Sequence, residues 1–201
     1  MRVTVIDYKA GNLTSVLKAL HHLGAETMVT DGDLALVEAA ERIVLPGVGH
    51  FQATDRLDAT GLTGAIRAAI TRGVPFLGIC VGMQWLYAGS SEALAQPGLS
   101  HFAEKCTRFS ESPEKVPHVG WNSLEIRPGS RLLARVEPGE YVYFTHSYKA
   151  PVTADTASTT YYIEPFASAV ERGNVMGVQF HPEKSGATGL RILNNFLEIG
   201  R

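Results

Sequence analysis

Residues 78–84 read Gly-Ile-Cys-Val-Gly-Met-Gln and follow directly on the apolar run Val74-Pro75-Phe76-Leu77. This is the pattern of a strand running into a Gly-x-Cys-x-Gly turn that opens a helix, a nucleophile elbow with cysteine in the place of serine. Such a turn is strained, and side chains at Gly78 and Gly82 would block the close packing it needs. Cys80 is then expected to be exposed at the C-terminal end of its strand. The helix N-terminus there, through its dipole and free N–H groups, favours thiolate over thiol. A small buried cysteine in a tight strand–helix turn has the same local pattern, so this segment alone leaves both readings open.

A second segment, Val178-Gln179-Phe180-His181-Pro182-Glu183, is an apolar strand ending in His, Pro and Glu. Pro182 disfavours helix at His181 and holds it extended at the strand tip. Period-two alternation then sends His181 and Glu183 to the same side. A histidine beside a thiolate supplies general base and acid, and a carboxylate on its far nitrogen fixes tautomer and orientation. The plainer alternative is a satisfied strand-end histidine with a helix-start acid before Ser185. The triad Cys80, His181 and Glu183 is favoured because nucleophile and base each end a hydrophobic strand, where open α/β sheets place ligands. Attack by Cys80 on an amide also needs N–H donors for the oxyanion, each worth about 3 kcal/mol when well placed. The backbone N–H of Val81, next after the nucleophile, is one candidate. The Val48–Gly49 peptide of Pro46-Gly47-Val48-Gly49 is the second, with a plain turn as its alternative.

The elements that must position these groups alternate through the first half of the chain. Residues 2–7, 26–30, 42–45 and 74–79 read as strands. Leu13, Val16, Leu17, Leu20 and Leu23 mark one helical face closed by Gly24. Further helices are expected over 33–40 and about 61–72. Apolar strands separated by amphipathic helices mean a parallel, doubly wound sheet. Segment 90–105 reads as irregular. Beyond it, strands are expected at 106–110, 121–127, 140–145, 157–163 and 174–181. A short helical stretch is expected near 130–135 and a closing helix over about 186–198. The expected fold is therefore α/β, a mixed and largely parallel sheet with antiparallel additions, flanked by helices.

With 201 residues the chain can bury a full core without disulfides or metals, and one domain over 1–201 is the simplest reading. A net charge of −2 gives no electrostatic case for nucleic acid or an anionic membrane surface. No apolar run approaches the roughly 18–20 residues of a spanning helix. The N-terminus lacks the basic region, longer apolar core and cleavage site of a signal peptide. Two cysteines with no CxxC spacing argue against a disulfide framework and a zinc site. Cys106, in an alternating stretch, reads as packing. A cytoplasmic, reduced setting is expected, with no metal and no cofactor.

Together these segments resemble the class I, triad-type glutamine amidotransferases. Within that family they resemble the branch serving imidazole glycerol phosphate synthesis in the histidine pathway. The likeness runs along nearly the whole chain. Asp7-Tyr8-Lys9-Ala10-Gly11-Asn12 resembles the family's opening motif, and Leu45-Pro46-Gly47-Val48-Gly49 its oxyanion strand. Gly78–Gln84 resembles the nucleophile elbow, and Val178–Gly186 the segment carrying base and orienter. Lys115-Val116-Pro117-His118-Val119-Gly120-Trp121-Asn122 and His146-Ser147-Tyr148 resemble segments that mark this branch. Val81 stands where the family more often has Leu, which is harmless where only its N–H matters.

The resemblance implies a flavodoxin-like, three-layer fold and hydrolysis of L-glutamine to glutamate and ammonia through a thioester on Cys80. It implies that Gln84, Glu92, Ser147 and Tyr148 hold the amino-acid end of the substrate. It also implies a heterodimer with a TIM-barrel cyclase subunit, docked through Asn12, Trp121, Tyr143 and Lys184. Plainer readings stand beside three of these: Trp121 as a core aromatic, Lys184 as a solvated lysine, and Glu92 as a helix-start acid. Against the first, Gly120-Trp121-Asn122 looks like loop and an exposed Trp suits an interface anchor. The nearest alternative function is a glutaminase for another synthase, such as pyridoxal phosphate synthase. A stand-alone cysteine hydrolase and a non-catalytic binding subunit are the remaining alternatives.

Overall fold

The computed structural model describes residues 1–10 and 13–200. Its first half runs β1 (Arg2–Ile6), α1 (Leu13–His22), β2 (Glu26–Thr30), α2 (Leu34–Glu38), β3 (Ile43–Gly47), α3 (Asp55–Ala59), α4 (Leu62–Thr71), β4 (Phe76–Cys80) and α5 (Val81–Gln84). β3 and β4 bury every residue, as strands covered on both faces must. α1 buries Val16, Ala19 and Leu20. Gly24 follows at φ +77, where its N–H donates to the His21 carbonyl and closes the helix.

The second half supplies mostly strands. They are β5 (Gly89–Ser90), β6 (Ala93–Pro97), β7 (Thr107–Arg108), β8 (His118–Ser123), β9 (Glu125–Ile126), β10 (Tyr141–His146), β11 (Tyr148–Lys149), β12 (Thr156–Tyr162), β13 (Glu164–Arg172) and β14 (Val175–Val178), before α6 (Gly186–Glu198). Eight strands form the main sheet in the order β2-β1-β3-β4-β14-β13-β12-β9. The first five pair in parallel and the last three add antiparallel. The chain steps one way from β1 to β2 and the other way from β2 to β3. Right-handed crossovers therefore put α1 and α2 on opposite faces of the sheet. α6 joins α1, and α4 joins α2, which completes the three layers.

Three local expectations are corrected. Residues 131–135 form turns rather than helix. The Glu171 carboxylate there accepts from Ser130 Oγ and from the backbone N–H groups of Arg131 and Leu132, and Arg135 sits at φ +63. Segment 90–105 is not irregular throughout, since β5 and β6 form an antiparallel ribbon within it. β13 was not foreseen. It begins Glu164-Pro165 and pairs with both β12 and β14, so it is the piece that turns the sheet antiparallel.

β8 and β10 form a separate antiparallel ribbon, with Trp121 opposite Tyr143 and His118 opposite His146. One face carries the buried His118, Val142, Phe144 and His146, and the other leaves Val119, Trp121 and Tyr141 exposed. Trp121 is thus an exposed strand residue, not a core aromatic. Among the described residues no helix is long and apolar enough to cross a membrane.

Candidate active site

Parallel register brings three strand ends together. Gly47 at the end of β3 lies opposite Cys80 at the end of β4, and Ile79 lies opposite Val178 at the end of β14. The chain beyond β14 therefore carries Gln179 level with Cys80 and His181 just above it. Cys80 occupies φ +53, ψ −107, a conformation that side-chain-bearing residues rarely adopt. The turn closes around it because the residues two away on either side, Gly78 and Gly82, lack side chains. A Cβ on Gly82 would strike the Leu45 carbonyl oxygen, and one on Gly78 would strike the Gly82 carbonyl. The helix that the elbow opens is a single turn, shorter than expected, and Cys80 is only 4% exposed rather than open to solvent. Its sulfur lies 4.0 Å from the Thr145 carbonyl oxygen and accepts from Gln179 Nε2 at 3.5 Å.

His181 is extended at φ −100, ψ 96, as the following proline requires. Its Nδ1 donates to Glu183 Oε1 at 2.9 Å, with both side chains 1% exposed. The contact is made across the short 3₁₀ turn Pro182–Lys184, not by strand alternation as the sequence suggested. Burial works against the imidazolium here. The Cys80 thiolate and the Glu183 carboxylate outweigh it and hold His181 well above its ordinary value, at about 10. Nε2, the nitrogen left for proton transfer, is buried and makes no hydrogen bond.

Ser185 then locks the backbone of the base. Its hydroxyl donates to the His181 carbonyl at 2.6 Å and accepts from the Tyr143 N–H at 2.9 Å. The His181 N–H donates to the Tyr143 carbonyl at 2.9 Å, which closes the ring. The sequence reading assigns this serine no role, because nothing local signals that it reaches another strand.

A cleft of about 280 Å³ opens over the sulfur. Val48, Gly49 and Val81 line it beside Cys80, and so do Gln84, Glu92, Ser147 and Tyr148. The Val48 N–H is committed to the Ala10 carbonyl at 3.1 Å, which leaves the Gly49 N–H as that loop's donor. Gly49 sits at φ +115, with nothing within 4 Å of a Cβ built on it, so this peptide has room to reorient. The Val81 N–H heads the α5 turn, where no intrahelical acceptor exists. Glu92 Oε2 accepts from the Phe51 N–H at 2.8 Å, in the turn between β5 and β6 rather than at a helix start.

Three of the four expected docking residues converge outside the cleft. Trp121, 55% exposed, meets the Tyr143 ring edge-on at 6.1 Å, and Lys184 Nζ stands 5.9 Å from that ring's centroid. Asn12 lies outside the described residues. Cys106 is fully buried, and burial pushes its thiol far up, which suits packing. Among the described residues no group of three or more His, Cys, Asp or Glu side chains could hold a metal ion.

A cysteine sulfur, a base on an adjacent strand end, a carboxylate behind that base and N–H donors at the cleft wall equip the site for acyl transfer from an amide. Comparison with known proteins agrees. The family model for Glutamine amidotransferase class-I matches residues 4–199. Imidazole glycerol phosphate synthase subunit HisH of Deinococcus radiodurans is 48% identical over 96% of this chain and 92% of its own. The protein of the same name from Methanosarcina acetivorans is 43% identical over 98% of each chain. Among solved structures, PurLQS from Thermotoga maritima superposes with a TM-score of 0.74 at 22% identity, covering 98% of this chain and 97% of that one, a likeness of fold. A family match that spans residues 4–199, almost the whole chain, makes this chain a member of the class I glutamine amidotransferase family.

Proposed function

We propose that the chain is the glutaminase subunit of an imidazole glycerol phosphate synthase. It releases ammonia from glutamine and passes it to a TIM-barrel cyclase subunit, which makes imidazole glycerol phosphate and aminoimidazole carboxamide ribotide. The observation that carries this reading is full-length likeness to synthase subunits of that name, over a cysteine elbow and a His181 hydrogen-bonded to Glu183. The chain acts as one domain in the cytoplasm, where a thiol nucleophile stays reduced.

In the reaction, the Cys80 thiolate attacks the side-chain carbonyl of glutamine, and the N–H groups of Gly49 and Val81 receive the oxyanion. His181 gives its Nε2 proton to the departing ammonia, leaving a γ-glutamyl thioester on the sulfur. It then takes a proton from water, whose oxygen attacks the thioester and releases glutamate. Glu183 holds the proton on Nδ1 throughout, so only Nε2 exchanges. Gln84 spends its Nε2 hydrogens on the Tyr148 carbonyl and on Gln179 Oε1, each at 3.1 Å. Its Oε1 is therefore the atom left for the substrate ammonium, with Glu92, Ser147 and Tyr148 completing the grip.

The aromatic pair under Lys184 supports the docking role, because an exposed Trp beside a cation suits an interface anchor. Mixing the chain with the cyclase subunit is expected to give a one-to-one complex in analytical ultracentrifugation. Lys184→Ala should raise the dissociation constant about tenfold, the scale of one desolvated cation–π contact. Binding to pyridoxal phosphate synthase instead would move the chain to the other branch, and an unchanged constant would remove Lys184 from the interface.

A further inference from the structure

The Tyr148 carbonyl oxygen has no hydrogen to give, and this one fact orients four side chains. It accepts from Gln84 Nε2 at 3.1 Å and from His146 Nδ1 at 2.8 Å. The amide of Gln84 must therefore turn its NH₂ toward Tyr148. The same nitrogen also reaches Gln179 Oε1 at 3.1 Å. With its oxygen so engaged, Gln179 can present only its NH₂ to Cys80 Sγ, at 3.5 Å.

The same carbonyl sets the histidines. His146 is bound to it through Nδ1–H, and burial holds this ring neutral, with its pKa at about 3. Its Nε2 is then an acceptor, so His118 Nδ1, 3.1 Å away, must be the donor. His118, sandwiched between Phe144 and Tyr162 and held at about 4 by burial, is neutral too. Its Nε2 accepts from Asn122 Nδ2 at 3.4 Å, and that nitrogen also donates to the Tyr161 carbonyl at 3.0 Å. Each assignment was forced by the one before it, and none conflicts. Gln179 and His118 are 0% and 3% exposed, so the chain of bonds is sheltered from water.

We propose that Gln179 is a further catalytic residue, whose amide N–H stabilises the Cys80 thiolate, and that His146 of β10 and His118 of β8 are positioning residues holding that donor. The proposal rests on the glutaminase reading and names a part of its machinery. The amide favours the anion twice, before attack and again when the sulfur leaves during thioester hydrolysis. Being neutral, it cannot compete with His181 for the transferred proton. Its far end lies in β8, next to the exposed Trp121, so a shift of that strand on docking reaches the sulfur through fixed hydrogen bonds.

Two measurements test the proposal. In the unmodified full chain, ¹⁵N spectra of the imidazoles at neutral pH should show His118 and His146 uncharged, each with its hydrogen on Nδ1. A His118 hydrogen on Nε2, or an imidazolium at either position, overturns the relay. Gln179→Met keeps volume without the donor, and Gln179→Glu keeps the acceptor for Gln84 but offers the sulfur a carboxylate. Alkylation of Cys80 by iodoacetamide should slow about tenfold or more in the first, the scale of one hydrogen bond to a charged atom, and further in the second. Rates equal to the parent's in both variants overturn the role of Gln179. A parent Cys80 that iodoacetamide does not touch at all would instead sink the nucleophile reading beneath it.

Discussion

Cys80→Ala is expected to abolish glutamine-dependent synthesis by the assembled enzyme, by at least about 10⁴-fold, while ammonium salts still support it. The two halves of this result separate chemistry from assembly. Cys80 Sγ lies at the floor of the cleft, with one amide donor and one carbonyl as its neighbours. Alanine removes the sulfur that would hold the acyl group, and the residue's φ of +53 is no harder for alanine than for cysteine. The proposed docking pair of Trp121 and Tyr143 is on the outer face of another ribbon and should be unaffected. The measurement is imidazole glycerol phosphate formation with glutamine or with ammonium chloride, on a complex shown intact by sedimentation. Loss of both activities in an intact complex would mean that Cys80 does something other than release ammonia.

Glu183→Gln should lower glutaminase turnover by about 10³–10⁴-fold, although the change replaces one oxygen by nitrogen. Glu183 Oε1 accepts the Nδ1 hydrogen of His181. An amide in that position can offer its NH₂ instead, which forces the ring hydrogen onto Nε2. The nitrogen that should take a proton would then already hold one. The same substitution has a signature in stability. His181 is lifted from 6.5 to about 10, burial being outweighed by the thiolate and the carboxylate. Between those values the native chain holds a proton that the unfolded chain has released. Its contribution to stability is full below pH 6.5 and is lost as pH rises through about 10. Removing the carboxylate weakens this lift, so the fall in melting temperature across that window should be shallower in the variant. A parent-like slope together with parent-like turnover would contradict the orienting role of Glu183.

What the sequence disclosed depended on how local the cause was. Gly78, Cys80 and Gly82 were legible because an elbow demands small residues at fixed spacing, and the Leu45 carbonyl supplies the reason at Gly82. His181 was legible because a proline follows it, but the way Glu183 reaches it was misread, since a 3₁₀ turn gives no periodic signal. The parallel half of the sheet followed from apolar runs between helical stripes. β13 escaped because Glu164-Pro165 resembles a loop and its pairing is defined only by its neighbours. Arg131-Leu132-Leu133-Ala134-Arg135 has a helical composition, yet a carboxylate from β13 claims its N–H groups. Gln179, Ser185, His118 and His146 went unread for a common reason. Their partners are far along the chain, and only the sheet register brings them within reach.

Glutamate release is the most direct measure of the central claim, that this chain is a glutaminase governed by its synthase partner. The Gly47–Gly49 turn has room to reorient its last peptide, and in this conformation its Val48 N–H is tied to Ala10. A partner that favours the productive orientation by a few kcal/mol would raise the rate about 10²–10³-fold. The chain should be assayed alone, with the cyclase subunit, and with that subunit plus its ribulosyl nucleotide substrate. The account predicts little glutamate from the chain alone and a rise of at least two orders of magnitude, about 10²-fold or more, only in the complete mixture. Equal rates in all three mixtures would leave the cysteine chemistry standing and contradict the assignment to this synthase.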